Sequence, residues 1–330
     1  MKVIIPLAGF GTRLRPHTYS KPKPLVNVAG KPVLGHILDK LVDLPLEEVI
    51  FIVGYLGEQI KEYVEANYHF PARFIEQKEL LGQAHAIWLA RDHVPGEVLI
   101  IFVDTIFETD LDRVLNADAD GVLLVKEVED PRRFGVVVLE DGYVRRLVEK
   151  PDSDEYRLAV IGVYFIKDGP RLMQAIDQLM ARRIQTKGEY YLADALQIMI
   201  DEGARLVAQE VDVWEDCGKP ETVLHTNRYL LSKQQGDGRE AHLVNSAIIP
   251  PVYIAASAHI ENSIIGPYAT IAEHARICNA HIRDSIIDEG AVICDTMLDQ
   301  SLIGKNAVVR GRFRRLNVGD SSQVDFSDGD

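Results

Sequence analysis

Residues 3–16 read VIIPLAGFGTRLRP, an apolar run that passes directly into a loop with two glycines and two arginines. Because the run is apolar throughout, both of its faces are expected to be buried, as in a strand of a covered parallel sheet. Comparable runs lie at 49–53 and 98–103, and amphipathic stretches typical of helices lie at roughly 32–44, 57–66 and 82–92. This alternation predicts an α/β sheet with helices on both faces and with ligands at the carboxyl ends of the strands.

The pattern becomes richer in strands between residues 120 and 166. Strand patterns lie at 121–128, 134–139, 144–148 and 159–166, and helical patterns follow at roughly 169–181 and 191–203. The polar segment 232–239 contains two glycines, which is typical of a domain boundary. We therefore predict a first domain over residues 1–235 and a second over residues 240–325.

The second domain contains an internal repeat. Four similar tetrads occur, at Asn245–Ile248, Asn262–Ile265, Asp284–Ile287 and Gln300–Ile303. Aliphatic residues recur 16 positions apart, as at Ile277, Ile293 and Val309, with steps of 6, 5 and 5 within one turn. This period is not that of a helix. It describes a three-sided coil whose turns must stack, because one turn cannot bury its own interior.

Composition limits the partners of the chain. Its 36 Lys and Arg residues are outnumbered by 50 Asp and Glu residues, for a formal net charge of −14. Such a chain is not expected to bind nucleic acid or an anionic membrane, although a few local cations can still bind a phosphorylated small molecule. The sequence shows no signal region and no apolar stretch of about 18 residues, so we expect a cytoplasmic protein.

The chain has three cysteines, which lack the paired spacing of a zinc site. Cys278 and Cys294 are 16 residues apart and should stack in adjacent coils, where a disulfide is geometrically possible. In a cytoplasmic protein we expect both thiols to remain reduced.

The glycine loop begins an unusually cationic segment. Five cations fall within 19 residues of this acidic chain, at Arg13, Arg15, Lys21, Lys23 and Lys31. Four prolines stiffen the same segment. Dinucleotide-binding and Walker motifs are both excluded, because Leu14 replaces a third glycine and Gly-Lys-Ser/Thr is absent. Rigid cations beside a glycine loop predict a triphosphate site; the alternative is a solvated basic loop.

The stretches GFGTRLRP at 9–16 and KPKPL at 21–25 resemble the signature of the sugar-1-phosphate nucleotidylyltransferases. The resemblance covers the whole chain and is greatest to long-chain glucose-1-phosphate thymidylyltransferases with a hexapeptide-repeat domain. It implies a Rossmann-like mixed sheet in the nucleotidyltransferase domain, followed by a left-handed parallel β-helix.

The resemblance also implies a Mg²⁺ site. Asp104 follows the third buried run, where the family has a metal-binding aspartate, although Val103 replaces the usual preceding glycine. Asp216 matches the second metal position, in the segment Trp214–Pro220. Cys217 directly follows Asp216, so a catalytic role for its thiol is an alternative. The two aspartates are far apart in sequence, so their convergence is a prediction.

The remaining site residues are assigned by the same resemblance. Arg13 and Lys23 are the expected catalytic residues. The expected nucleotide-binding residues are Leu7, Ala8, Gly9, Gly11, Thr12, Gln77, Gly82 and Asp104. The expected sugar-phosphate-binding residues are Gly135, Glu149, Lys150 and Tyr164. For Gln83, His85 and Glu189 a site role and a place at a helix start are both open.

The implied reaction joins a nucleoside triphosphate to a hexose 1-phosphate and releases pyrophosphate. Gln77 favours dTTP or UTP over GTP, since its amide both donates and accepts hydrogen bonds. A mannose-1-phosphate guanylyltransferase is the alternative within this class. An additional acyltransferase in the β-helix is an alternative of another class, with His274 and His281 as candidate bases. The flat faces of stacked coils predict a homo-oligomer.

Overall fold

The computed structural model describes residues 1–234 and 241–311. Contacts divide the chain into two compact units between Leu230 and Leu231. The predicted boundary segment 232–239 and the predicted end of the second domain lie partly outside the described residues. Within the described residues, no helix has the length and apolar character needed to cross a membrane.

The first unit is built from strands and helices in mixed order. Its strands are β1 (Lys2–Pro6), β2 (Asn27–Val28), β3 (Lys31–Pro32), β4 (Glu48–Val53), β5 (Ala72–Glu76), β6 (Val98–Ile101), β7 (Thr105–Glu108), β8 (Gly121–Glu127), β9 (Gly135–Glu140), β10 (Tyr143–Glu149), β11 (Leu158–Ile166), β12 (Leu206–Glu210) and β13 (Val213–Asp216). Its helices are α1 (Val33–Leu38), α2 (Gly57–Asn67), α3 (Gln83–Trp88), α4 (Leu111–Leu115), α5 (Gly169–Ala181), α6 (Leu192–Asp201) and α7 (Pro220–Gln234), whose last residues, from Leu231 onward, belong to the second unit.

The central sheet is mixed, as the family resemblance implied. Its main path runs β10-β9-β11-β6-β1-β4-β5, and β8 joins β11 to β12. β1 is parallel to β4 and β6, whereas β11 is antiparallel to β6. Residues 98–103 were expected to form one strand, but β6 ends at Ile101. Asp104 therefore stands in a short turn between β6 and β7, rather than at the end of a strand.

The core of the first unit consists of aliphatic residues between the sheet and its helices. Ile4, Ile50 and Ile100, from three neighbouring strands, are all fully buried. Helix α1 is shorter than the expected 32–44, because beyond Leu38 the chain continues in turns with i→i+3 hydrogen bonds such as Leu41 N–H to the Leu38 carbonyl. This buried core fixes the positions of the strands, and the loops of the site begin at the carboxyl ends of those strands.

The second unit is a parallel β-helix with three faces, as predicted. One face contains β14 (His242–Val244), β17 (His259–Glu261), β20 (Arg276–Cys278), β23 (Val292–Cys294) and β26 (Val308–Arg310). The second contains β15 (Ala247–Ile248), β18 (Ile264–Ile265), β21 (His281–Arg283) and β24 (Met297–Asp299). The third contains β16 (Val252–Ile254), β19 (Ala269–Ile271), β22 (Ile286–Ile287) and β25 (Leu302–Ile303). The 16-residue period is confirmed, since Ile277 lies opposite Ile293 and Ile293 opposite Val309.

The repeated tetrads form corners of the coils. Those at 245–248 and 262–265 join the first face to the second, whereas those at 284–287 and 300–303 join the second face to the third. Their first residues take left-handed backbone conformations, with φ between +44° and +49°. The serine that follows donates its hydroxyl to a carbonyl two residues earlier, at 2.6–2.8 Å in all four coils. The hydroxyls of Ser246, Ser263 and Ser285 also accept a backbone N–H from the next coil. The tetrad signal in the sequence is therefore a hydrogen-bonded corner.

The expectation of reduced cysteines is wrong for this structure. Cys278 and Cys294 lie opposite each other in adjacent coils, with Cα atoms 4.8 Å apart, and form a disulfide. The parallel register brings the two side chains together directly, as the 16-residue spacing indicated.

Candidate active site

The loop after β1 requires glycine at position 11. Gly11 has a φ of +61°, and a Cβ at this position would lie 2.9 Å from the Cβ of Lys23. The Thr18 hydroxyl donates to the Gly11 carbonyl at 2.9 Å. Only glycine adopts this conformation without strain and leaves room for the neighbouring chain. The loop thus folds back so that the segment containing Lys23 packs against the glycines.

Lys23 and Arg13 converge on the Asp104 carboxylate. The Lys23 ammonium donates to Asp104 Oδ2 at 3.0 Å, and the Arg13 guanidinium lies 3.7 Å from the same oxygen. Burial alone would raise the pKa of Asp104, but the two cations outweigh it and hold that pKa below its usual value. Arg13 is 55% exposed and Lys23 only 14%. Lys23 is thus fixed, whereas Arg13 remains accessible to a ligand.

The predicted convergence of Asp104 and Asp216 is present. β13 pairs antiparallel with β7, which places Asp216 opposite Thr105. The Cys217 N–H donates to the Asp104 carbonyl at 2.9 Å, so the two aspartates lie on adjacent chain segments. Oδ1 of Asp216 accepts the Gly218 N–H at 2.8 Å. Both aspartates line one cavity.

The donor set fits a magnesium ion that shares its ligands with a substrate. Mg²⁺ is usually held by one or two carboxylates and completes its shell with water and phosphate oxygens. Asp104 and Asp216 supply two carboxylates. Among the described residues there is no group of three or more His, Cys, Asp or Glu side chains that could hold a metal. The chain therefore offers a partial site and not a closed protein cage.

A first cavity of about 340 Å³ lies at the carboxyl edge of the sheet. It is lined by every residue expected to bind the nucleotide and by both expected catalytic residues: Leu7, Ala8, Gly9, Gly11, Thr12, Arg13, Lys23, Gln77, Gly82 and Asp104. Gly82 has a φ of +110°, and a Cβ there would lie 2.6 Å from the Tyr190 carbonyl oxygen. Gln83 and Glu189 also line this cavity, and Gln83 at the same time begins α3.

A second cavity, of about 440 Å³, adjoins the first. The two share Arg13, Gln83, Phe102 and Asp104 in their walls. The second contains the four residues expected to bind the sugar phosphate, Gly135, Glu149, Lys150 and Tyr164, together with Asp216. All of the predicted site residues thus fall into two connected cavities that meet at Arg13 and Asp104.

Lys150 is held in the second cavity by two side chains, those of Tyr191 and Glu149. Its ammonium donates to Tyr191 Oη at 2.6 Å, lies 4.5 Å from the Tyr191 ring centroid and lies 3.5 Å from Glu149 Oε1. Burial raises the pKa of Glu149 despite the nearby lysine. A Cβ at Gly135 would lie 2.9 Å from Glu149 Oε2, so glycine leaves room for this carboxylate. The Lys150 ammonium and the Glu149 carboxyl group therefore line the same cavity.

Sequence reasoning missed several residues of this site. Tyr191 is buried and positions Lys150. The segment from Glu189 to Asp194 resembles a family segment near the sugar, but the sequence did not indicate this contact, because the two residues are 41 positions apart. Phe134 packs edge-on against Trp214, with ring centroids 5.0 Å apart, and both line the second cavity. The thiol alternative is wrong, because Cys217 is buried and burial raises its pKa to about 12.

Comparisons with known proteins identify the family of the chain and relatives of its fold. The profile of the Nucleotidyl transferase family matches residues 2–233. The chain is 38% identical over 238 residues to the bifunctional protein GlmU of Methanocaldococcus jannaschii, over 72% of this chain and 56% of that protein. It is 30% identical to a glucose-1-phosphate thymidylyltransferase of Streptomyces antibioticus over 99% of both chains.

The fold of the first unit also occurs in a solved structure of similar size to that unit. A UDP-glucose pyrophosphorylase crystallised with UDP-glucose superposes with a TM-score of 0.63, over 70% of this chain and 98% of that chain. The two sequences are 21% identical, so this likeness concerns the fold alone. The chain spans little more than half of the GlmU relative and nearly all of the thymidylyltransferase.

Proposed function

This chain belongs to the nucleotidyl transferase family, and we propose that it is a sugar-1-phosphate nucleotidylyltransferase. It converts a nucleoside triphosphate and a hexose 1-phosphate into an NDP-sugar and pyrophosphate. The observation that supports this most directly is the pair of connected cavities, one lined by the glycine loop and the other by Glu149 and Lys150. Two adjoining spaces that share Arg13 would hold two phosphorylated substrates side by side, which is the positioning that a direct reaction between them needs.

The chemistry needs positioning and charge neutralisation, but no protein nucleophile. An oxygen of the sugar phosphate is already ionised and attacks the α-phosphorus of the triphosphate in line, and pyrophosphate leaves. Lys150 holds the attacking phosphate. Lys23 neutralises the α-phosphate, and Arg13 neutralises the leaving pyrophosphate. The exposure of Arg13 and the fixed position of Lys23 suit these two roles.

Mg²⁺ is the proposed cofactor, held by Asp104 and Asp216. When bound, it supplies positive charge that neutralises phosphoryl oxygens. The protein contributes the lysine and arginine beside Asp104, which keep this carboxylate ionised and ready to coordinate.

We further propose glucose 1-phosphate with dTTP or UTP as the substrates. The Streptomyces relative, which this chain matches along its whole length, is a glucose-1-phosphate thymidylyltransferase. Gln77, in the wall of the first cavity, supports a pyrimidine base. We also propose a cytoplasmic homo-oligomer assembled through the β-helix. A mannose-1-phosphate guanylyltransferase and an added acyltransferase activity in the β-helix are the competing functions.

A substrate panel tests this proposal. The purified full-length chain is incubated with Mg²⁺ and each of dTTP, UTP, GTP and ATP, paired with glucose 1-phosphate or mannose 1-phosphate. We expect pyrophosphate release with dTTP or UTP and glucose 1-phosphate. Release only with GTP and mannose 1-phosphate would transfer the assignment to the alternative. Consumption of acetyl-CoA with an amino-sugar phosphate would reveal the acyltransferase.

A further inference from the structure

Two histidines lie side by side on the first face of the β-helix, the one that begins with β14. The parallel pairing of β14 with β17 places His242 opposite His259 in the next coil. Their ring centroids are 5.2 Å apart, and the ring planes are inclined at 58°. Both side chains are exposed, whereas Ile260 beside them is 1% exposed, so the histidines point away from the interior of the coil. The stacking of coils therefore holds two imidazoles together at the surface.

The nitrogens of both rings are available to a ligand. Across the part of the chain that the structure describes, neither imidazole has a hydrogen bond or an ion pair with another side chain. A neutral imidazole has one nitrogen with a lone pair that can bind a metal ion. The charged residues next to the pair on this face are Glu261, on the strand of His259, and Arg276, opposite His259 in the following coil. Their charges have opposite signs and offset each other.

The separation of the two rings suits one tetrahedral metal ion. Zn²⁺ binds an imidazole nitrogen at about 2.0–2.1 Å, and two imidazoles at a tetrahedral angle on one such ion would have their centroids about 5 Å apart. The observed 5.2 Å matches this separation. Imidazole suits Zn²⁺, Cu²⁺ and Ni²⁺, whereas Mg²⁺ prefers oxygen ligands. The pair therefore favours a different class of cation from the one that suits the carboxylates of the candidate active site.

The second face of the β-helix contains a histidine without such a neighbour. His281 lies opposite Ile264 in one adjacent coil and opposite Met297 in the other. It has the same parallel strand surroundings as the pair, but no second imidazole in register. A single imidazole is one ligand and does not make a chelating site, so His281 provides a comparison within the same domain.

We propose that His242 and His259 form a binding site for a divalent transition-metal cation, represented by Zn²⁺, which joins the first two coils of the β-helix. The two imidazoles are the protein ligands, and water completes the shell. Among the described strands β14 pairs only with β17, so the first coil is the edge of its sheet. A cation that binds the folded pair stabilises this edge, because it binds the unfolded chain less well. The site belongs to the second unit and does not depend on the proposed function.

Zinc binding to the full-length, untagged chain tests the proposal. Equilibrium dialysis is run at pH 8, because a metal binds the neutral imidazole. Excess Mg²⁺ is present to occupy the carboxylates of the candidate active site. Thiol reductants are left out, so that Cys278 and Cys294 remain joined in their disulfide and do not bind the metal.

We expect the wild type to bind one Zn²⁺ per chain that His242→Ala and His259→Ala each bind at least about 10-fold more weakly. Loss of an outer-shell group alone weakens a metal site about 10–100-fold, so loss of one of two protein ligands should cost no less. His281→Ala should bind this Zn²⁺ as the wild type does. Because all three side chains lie at the surface, the variants should fold, and far-UV circular dichroism checks this.

Hydrogen exchange measured with and without Zn²⁺ tests the joining of the two coils. Zn²⁺ should slow amide exchange in residues 242–261 of the wild type and leave it unchanged in His242→Ala and His259→Ala. Equal zinc binding by the wild type and these two variants would overturn the proposal, and so would loss of the same zinc in His281→Ala. Zinc bound through the pair without slower exchange would contradict the stabilisation of the coil edge.

Discussion

Arg13 and Arg15 stand two residues apart on one loop, but the structure assigns them different surroundings. Arg13 reaches Asp104 and lines both cavities. Arg15 lies 5.0 Å over the ring of Tyr19 and is absent from the described lining of either cavity. Sequence analysis places the two arginines in one cationic segment, because the sequence alone does not show the direction of a side chain.

This difference gives a matched pair of variants. Arg13→Ala should lower kcat by about 10²-fold or more, because a charge that stabilises the leaving group is lost. Arg15→Ala should leave kcat within a few-fold of the wild type. Steady-state pyrophosphate release measures both. Near-normal turnover in Arg13→Ala would remove Arg13 from the proposed mechanism.

The carboxylate of Asp104 is the second test at the residue scale. Asp104→Asn retains the size of the side chain but removes the negative charge that pairs with Lys23 and would bind the metal. We expect Mg²⁺-dependent turnover to be abolished and the far-UV circular dichroism spectrum to match the wild type. Wild-type turnover in this variant would contradict the assigned metal site, whereas a changed spectrum would show that Asp104 is needed for folding.

At the scale of elements, single glycines shape the loops that form the site. Gly82 and Gly142 both have positive φ, at +110° and +82°. A Cβ at Gly82 would lie 2.6 Å and 2.7 Å from backbone atoms of Tyr190, whereas a Cβ at Gly142 would meet nothing within 4 Å. Alanine at Gly82 would thus meet both a glycine-only backbone conformation (φ +110°, ψ −179°) and a collision, whereas alanine at Gly142 would meet only the strain of a positive φ.

Gly142→Ala should cost about 1–2 kcal/mol of stability, from the left-handed conformation alone. Gly82→Ala should cost more and should also weaken nucleotide binding, because the start of α3 must move away from Tyr190. Thermal denaturation and UTP affinity measure the two effects. Equal losses of stability in the two variants, with unchanged UTP affinity in both, would argue against the close approach at Gly82.

An interior residue and an exposed residue of the β-helix should differ in their effect on stability. Ile277 is buried at 2% exposure in the interior stack, whereas Val308 on the same face is 61% exposed. Ile277→Ala should lower the free energy of unfolding by about 2–5 kcal/mol, through lost burial and the cavity that remains. Val308→Ala should change it by less than about 0.5 kcal/mol. Urea denaturation checks both values, and similar effects would contradict the interior position of Ile277.

At the scale of the whole molecule, local patterns predicted far more than long-range pairings. The strand and helix alternation and the 16-residue coil depend on neighbouring residues and were readable in advance. The antiparallel β11 beside β6 and the pairing of β13 with β7 depend on contacts between distant segments. Only the family resemblance anticipated that Asp104 and Asp216 meet. It also indicated the segment around Glu189, but not the contact of Tyr191 with Lys150. The 16-residue spacing of Cys278 and Cys294 predicts that the two side chains stack in adjacent coils. Whether they are oxidised does not follow from this spacing, and the expectation of reduced thiols came from the expected cytoplasmic location.

In the proposed reaction both substrates occupy connected cavities and react directly, without a covalent intermediate on the protein. Cys217, the one cysteine outside the disulfide, is buried and poorly suited as a nucleophile. The most direct test is the stereochemical course of the reaction with a nucleoside triphosphate that carries a chiral thiophosphate at the α-position. One in-line displacement predicts inversion at the α-phosphorus of the NDP-sugar. Retention would require two successive displacements through a covalent intermediate on the protein and would rule out the direct reaction.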